Sequence, residues 1–134
     1  MTDNTGTEST FKYKILVIDD EKRIRDVTYR MLTQEGFEVA VAETGDAGMK
    51  MIEEKNFDII LLDLMMPGIS GLDVLPILKT NHPYSVVIVI TGYATLEHSI
   101  EAMKKGAFDF IPKPFDPMTD PISMDTVLPI VTFE

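Results

Sequence analysis

Phe57-Asp58-Ile59-Ile60-Leu61-Leu62-Asp63-Leu64-Met65-Met66-Pro67-Gly68 is the stretch on which the reading of this chain turns. The aliphatic run Ile59 to Leu62 reads as a strand buried on both faces, as strands of a parallel sheet are. It runs directly into a carboxylate, Asp63, and Pro67-Gly68 then forces a turn. A charge at the carboxyl end of a central parallel strand lies where open α/β sheets bind ligands and do chemistry. Taken alone, Asp63 reads equally well as a residue that caps a loop.

The segments on either side repeat the pattern. Upstream, Lys14 leads into Ile15-Leu16-Val17-Ile18, a first buried strand ending in Asp19-Asp20-Glu21. Ile24, Val27, Met31 and Leu32 then recur at helical spacing, and Gly36 stops that helix. Phe37 to Ala42 alternates as a second strand. Thr44-Gly45-Asp46 reads as a turn. A second helix follows with Met49 and Ile52 inward, weakened by Gly48. Downstream of the central stretch, Leu72, Leu75 and Leu78 mark a third helix that contains Pro76, a residue expected to cost a hydrogen bond and to kink it. Val86 to Ile90 is a fourth strand ending in Thr91-Gly92. Leu96, Ile100 and Met103 mark a fourth helix closed by Lys104-Lys105-Gly106. Phe108 to Ile111 is a short fifth strand, followed by Lys113-Pro114-Phe115.

Strands alternating with helices five times predict an α/β fold, a doubly wound five-stranded parallel sheet with helices on both faces. The strand order 2-1-3-4-5 is adopted from the flavodoxin-like fold rather than derived. Residues 1–11 are polar and read as a disordered tail. Residues 12–116 form the expected domain, and residues 117–134 an atypical C-terminal segment.

Composition narrows the function. The 134 residues are 45% hydrophobic and 25% charged, ordinary values for one globular domain. A net charge of −10 leaves no basic stripe to neutralise phosphates, so nucleic-acid binding by this domain is disfavoured. With no cysteine there is no disulfide or thiolate site. Apolar runs are too short to span a bilayer, and no secretory signal is evident, so no membrane role and a cytoplasmic location are expected.

The polar residues that follow the strands lie on one edge of a parallel sheet: Asp19, Asp20 and Glu21 after the first strand, Asp63 after the third, Thr91 after the fourth and Lys113 after the fifth. Clustered carboxylates repel one another unless a cation sits between them, and a few hard oxygen ligands suit Mg2+. A carboxylate beside that ion can attack a phosphoryl group, while a lysine and a hydroxyl offset the transferring charge. Each residue also has a plainer reading. One of Asp19 and Asp20 is expected to cap the following helix. Thr91 alone reads as a turn residue and Lys113 as an exposed lysine. His82 and His98 read as surface residues, and the nine methionines as core filler. Strand two ends in Ala42-Glu43 without an obvious partner in the set.

The motifs Ile15-Leu16-Val17-Ile18-Asp19-Asp20-Glu21, Leu62-Asp63-Leu64-Met65-Met66-Pro67-Gly68, Ile90-Thr91-Gly92-Tyr93-Ala94 and Phe110-Ile111-Pro112-Lys113-Pro114-Phe115, in this order, resemble those of response-regulator receiver domains of two-component signalling. The resemblance covers residues 13–116, and the stretch from Thr91 to Phe115 is especially similar to receivers of the nitrogen-regulation type. It implies that Asp63 is the phosphoacceptor and Asp20 a direct Mg2+ ligand. Asp19 would act through metal-bound water, and the backbone carbonyl of Met65 would be a further ligand. It implies that Thr91 and Lys113 contact the phosphoryl group, that the Phe110 ring follows the state of Thr91, and that the Lys113-Pro114 peptide is cis. Two side chains flank the path of the hydrolytic water in receivers, two residues after the phosphoacceptor and two after the threonine; here these are Met65 and Tyr93. The phosphodonor would be a histidine kinase, and the output partner is not named by the sequence.

The resemblance stops at the end of the chain. Receivers close with an amphipathic helix, whereas here Pro117 is tolerable at a first helical position but Pro121 and Pro129 preclude one continuous helix over 117–134. The apolar run Val127 to Phe133 is expected to pack on a neighbouring chain, which would give a homodimer. The function expected is a phosphorylation-dependent signalling switch and not a metabolic enzyme. Its rivals are a phosphorylation-independent interaction module, which a damaged acidic site would signal, and an aspartate-nucleophile phosphohydrolase, which usually carries an acid where Met65 stands.

Overall fold

The computed structural model describes residues 13–91 and 96–112, with side chains described for 13–90 and 97–110. The described residues form β1 (Lys14–Ile18), α1 (Lys22–Gln34), β2 (Glu38–Ala42), α2 (Gly45–Glu54), β3 (Ile59–Asp63), α3 (Gly71–Asn81), β4 (Val86–Thr91), α4 (Leu96–Lys104) and β5 (Asp109–Pro112). All pairings are parallel, in the order β2-β1-β3-β4-β5. The expected readings of 1–11, of the Lys113-Pro114 peptide and of 117–134 fall outside the described residues.

Alternation along the strands builds two cores. Leu16, Ile18, Ile60, Leu62, Val87 and Val89 face one way and pack with Val74, Leu75 and Leu78 of α3, Ile52 of α2 and Ala102 of α4. Ile15, Val17, Ile59, Leu61, Ile88 and Ile90 face the other way, with Ile24 and Leu32 of α1. Every residue of β3 is buried. Each such aliphatic side chain contributes roughly 1.5–3 kcal/mol relative to exposure, so β3 is the member of the sheet least able to shift, and it carries Asp63.

Several local expectations need correction. Gly45 and Asp46 are not a turn: Thr44 caps α2, its hydroxyl accepting from the Ala47 N–H at 3.0 Å, and both residues lie in the first helical turn. Gly48 is a site of close approach, since a Cβ there would stand 2.5 Å from Cδ1 of Ile18. On α1 the buried positions are Ile24, Thr28 and Leu32, whereas Val27 and Met31 are only partly covered. Pro76 is accommodated within α3, which continues to Asn81. Because proline has no N–H, it cannot serve the Leu72 carbonyl one turn back. In α4 the inward residue is Ala102, and Ile100 and Met103 are 46% and 45% exposed. Methionine is not uniformly core filler, for Met66 is buried while Met65 and Met103 face solvent. β2 and β5 each begin one residue later than expected, leaving Phe37 and Phe108 as lead-in residues.

Candidate functional site

The strand order brings the ends of β1 and β3 side by side. Ile18 pairs with Leu62, so Asp19 and Asp63 each stand one position further on at the same sheet edge. The winding reverses at this seam, because β1 leads outward to β2 while β3 leads to β4 on the opposite side. One carboxylate oxygen from each of Asp19, Asp20 and Asp63 lies within 4.8 Å of the other two. Asp19 is 0% and Asp63 2% exposed, while Asp20 is open to solvent.

The two buried aspartates are held by the same local device. Oδ1 of Asp19 accepts from the N–H of Glu21 at 2.9 Å, and Oδ1 of Asp63 from the N–H of Met65 at 3.1 Å. A side-chain oxygen bonded to the backbone two residues on is an Asx turn, favoured where a strand gives way to a loop. It fixes one oxygen of each carboxylate. The expectation that Asp19 or Asp20 caps α1 is not met: the cap position is Glu21, without a side-chain capping bond. Engagement of Asp19 in the turn explains the difference.

The backbone of Asp19 is held as well. Its N–H donates to the Ala42 carbonyl at 3.1 Å. Its carbonyl accepts from Nη1 of Arg25 at 2.9 Å. Nη2 of Arg25 lies 3.8 Å from Oε1 of Glu43. Glu43 therefore has a partner at the site edge, which the sequence did not suggest. Arg25 follows the buried Ile24 directly, and that adjacency was the signal available for a side chain drawn off the solvated face.

On the other side, Asp63 pairs with Ile90, so Thr91 stands one position beyond at the end of β4, and Thr91 pairs with Pro112. Lys113 and Tyr93 lie outside the described residues. Phe110 of β5 pairs with Val89 of β4 and packs, partly buried, on the core shared with α2, α3 and α4. The loop after β3 is shaped by Gly68, at φ +81°, and by Gly71, whose N–H donates to the Leu64 carbonyl at 2.9 Å. His82 and His98 are part-exposed and outside the acidic cluster. Among the described residues no helix is long and apolar enough to cross a membrane.

The fold and the acidic seam define a receiver-type signalling module, and the comparisons agree. The sequence profile of the response regulator receiver domain matches residues 15–119. A putative response regulator NtrX-like protein of Rickettsia typhi is 40% identical over 104 residues, covering 76% of this chain and 22% of that protein. The DNA-binding transcriptional regulator NtrC of Klebsiella pneumoniae is 38% identical over 100 residues, 75% of this chain and 21% of the relative. Among solved structures, a CheY-like receiver domain protein from Methanospirillum hungatei superposes with a TM-score of 0.78 at 32% identity, covering 90% of this chain and 96% of that one. A Burkholderia pseudomallei response regulator protein, solved with a phosphorylated aspartic acid, a calcium ion and citrate, gives 0.79 at 27% identity over 91% of this chain and 68% of that one. The chain belongs to the response regulator receiver domain family. It spans about a fifth of the length of the curated relatives it matches. Receiver domains are, in general, signalling modules and not metabolic enzymes.

Proposed function

We propose that Asp63 is the phosphoacceptor, taking a phosphoryl group from the phosphohistidine of a histidine kinase. The observation that carries this reading is the placement of Asp63 at the buried end of β3, within one cluster with Asp19 and Asp20. Oδ1 of Asp63 accepts from the Met65 N–H, and a carboxylate oxygen of Asp63 is assigned as the nucleophile. It forms a bond to phosphorus as the phosphorus–nitrogen bond of the donor breaks, and the electron pair stays on the imidazole.

The donor set fits Mg2+. Oxygens on opposite sides of that ion stand about 4.2 Å apart, twice a bond length of about 2.1 Å. A trio already within 4.8 Å needs only small adjustment to hold it. Asp20, Asp63 and the backbone carbonyl of Met65 are assigned as direct ligands, and Asp19 as a ligand through water. The ion would neutralise charge on the phosphoryl oxygens. Thr91 and Lys113 are assigned to contact those oxygens. Phe110 is assigned as the ring that reports the state of Thr91, biasing a two-state equilibrium at the surface around β5. The phosphorylated aspartic acid and bound calcium of the Burkholderia relative support the same arrangement. By this reading the domain acts in the cytoplasm, contacts a kinase and an output partner, and does not itself bind nucleic acid.

Incubation with Mg2+ and acetyl phosphate followed by intact mass tests it. A single gain of one phosphoryl group is expected, abolished in Asp63→Ala and by EDTA. A gain that survives in Asp63→Ala rules the assignment out.

A further inference from the structure

We infer that Arg25 is a positioning residue for the metal site, acting on the Asp19–Asp20 peptide and not on the ion. This rests on the reading of the acidic cluster as a Mg2+ site. The Arg25 side chain is only 14% exposed, unusual for one that starts on the charged side of an amphipathic helix. It spans the mouth of the sheet edge. Nη1 holds the Asp19 carbonyl at 2.9 Å, and Nη2 faces Glu43 of the β2–α2 loop at 3.8 Å. That exposed carboxylate is a weak partner, so the short bond to Asp19 is the one that matters.

The consequence follows from peptide planarity. Fixing the Asp19 carbonyl fixes the plane of the peptide that joins Asp19 to Asp20. The Asp19 N–H is already bound to Ala42, and its Oδ1 to Glu21. With Arg25 in place, Asp19 is held at its N–H, its carbonyl and its carboxylate. The direction in which Asp20 leaves the chain is set with it. Asp20 itself is exposed and gains little positioning from packing, so the orientation of its backbone is what brings its carboxylate back into the trio.

Charge and positioning pull in opposite directions here, which makes the inference decidable. A cation beside a cation-binding site opposes metal binding, so removing Arg25 for charge alone would tighten it. Removing a group that orients metal ligands typically weakens affinity 10–100-fold. We therefore expect Arg25→Met to bind Mg2+ about tenfold more weakly by isothermal titration, with the metal-free melting temperature close to the parent's. Arg25→Lys, which keeps one donor for the same carbonyl, should recover part of the loss. Arg25→Gln removes the same charge and fork while staying polar, and is held to the same criterion if Arg25→Met does not fold. Affinity that is unchanged or tighter in the folded variant overturns the inference. Absence of Mg2+ binding in the parent would instead overturn the reading of the cluster on which it depends.

Discussion

Gly71 lies directly against the backbone of Asp63: a Cβ at position 71 would stand 2.4 Å from the Asp63 carbonyl oxygen and 2.7 Å from the Leu64 Cα. Both neighbours are main chain, at the end of β3 and one residue beyond it, so neither can swing aside. Gly71→Ala therefore has to push the start of α3 away from the end of β3. Overpacking of this kind costs about 1–3 kcal/mol, more than alanine recovers through helix propensity, about 1 kcal/mol at most. Urea unfolding should show a lowered midpoint with an unchanged slope, and acetyl phosphate labelling of Asp63 should slow. A midpoint equal to the parent's would mean that the crossover tolerates a methyl group here.

Gly48 presents the same kind of contact with a softer neighbour. The atoms in its way are Cδ1 and Cγ1 of Ile18, at 2.5 and 2.8 Å. Ile18 is fully buried, so its side chain has little room to move. Gly48→Ala should destabilise the protein by about 1–2 kcal/mol after the gain in helix propensity. In an Ile18→Ala background the added methyl fills vacated space, and the same change should become neutral or stabilising. Strict additivity in this double-mutant cycle would sink the argument.

Thr28 offers a stabilising change. Its hydroxyl is fully buried in α1 and has no hydrogen-bond partner among the described residues. It lies between the buried Ile24 and Leu32 on the same helix face. An unsatisfied buried hydroxyl costs about 1–3 kcal/mol. Thr28→Val keeps the branched shape and removes the polar atom, so a gain of about 1 kcal/mol and a melting temperature a few degrees higher are expected. Calorimetry that finds a lower melting temperature would show that the hydroxyl is satisfied by water.

These residues also mark how far the sequence could be read. Ile59 to Leu62 and Val86 to Ile90 announced central strands because burial on both faces demands unbroken aliphatic runs, and the acids after β1 and β3 met because parallel strands end on one edge. What escaped reading depends on contacts between distant segments. Gly48 looks like a helix weakener, and Gly71 like no more than the residue before a helix, until Ile18 and Asp63 are placed against them. Arg25 looks like one more surface cation until the β1–α1 turn folds back over it. The apolar positions of α4 misled for a related reason. Helical spacing identifies a stripe but not its orientation, and the small Ala102 took the core side while Ile100 and Met103 faced out.

We expect the lifetime of the phosphorylated state to depend on the residue that follows the acidic seam. Met65 shares the Asx turn of Asp63, donating its N–H to Oδ1, while its side chain is 44% exposed. A thioether at this mouth is a poor hydrogen-bonding group, weak as an acceptor and unable to donate. Loss of the phosphoryl group requires a water held in line with phosphorus, and nothing at position 65 orients one. We expect slow self-dephosphorylation, suited to sustained output. Asn at position 65 supplies both a donor and an acceptor at the same height above the strand. Orienting groups of this type are commonly worth about 100-fold, so Met65→Asn combined with Tyr93→Glu should shorten the lifetime by one to two orders of magnitude. The decay of phosphorylated protein after removal of acetyl phosphate, followed by intact mass at fixed Mg2+, measures it. Equal decay in the parent and the double variant would show that these side chains do not gate the water.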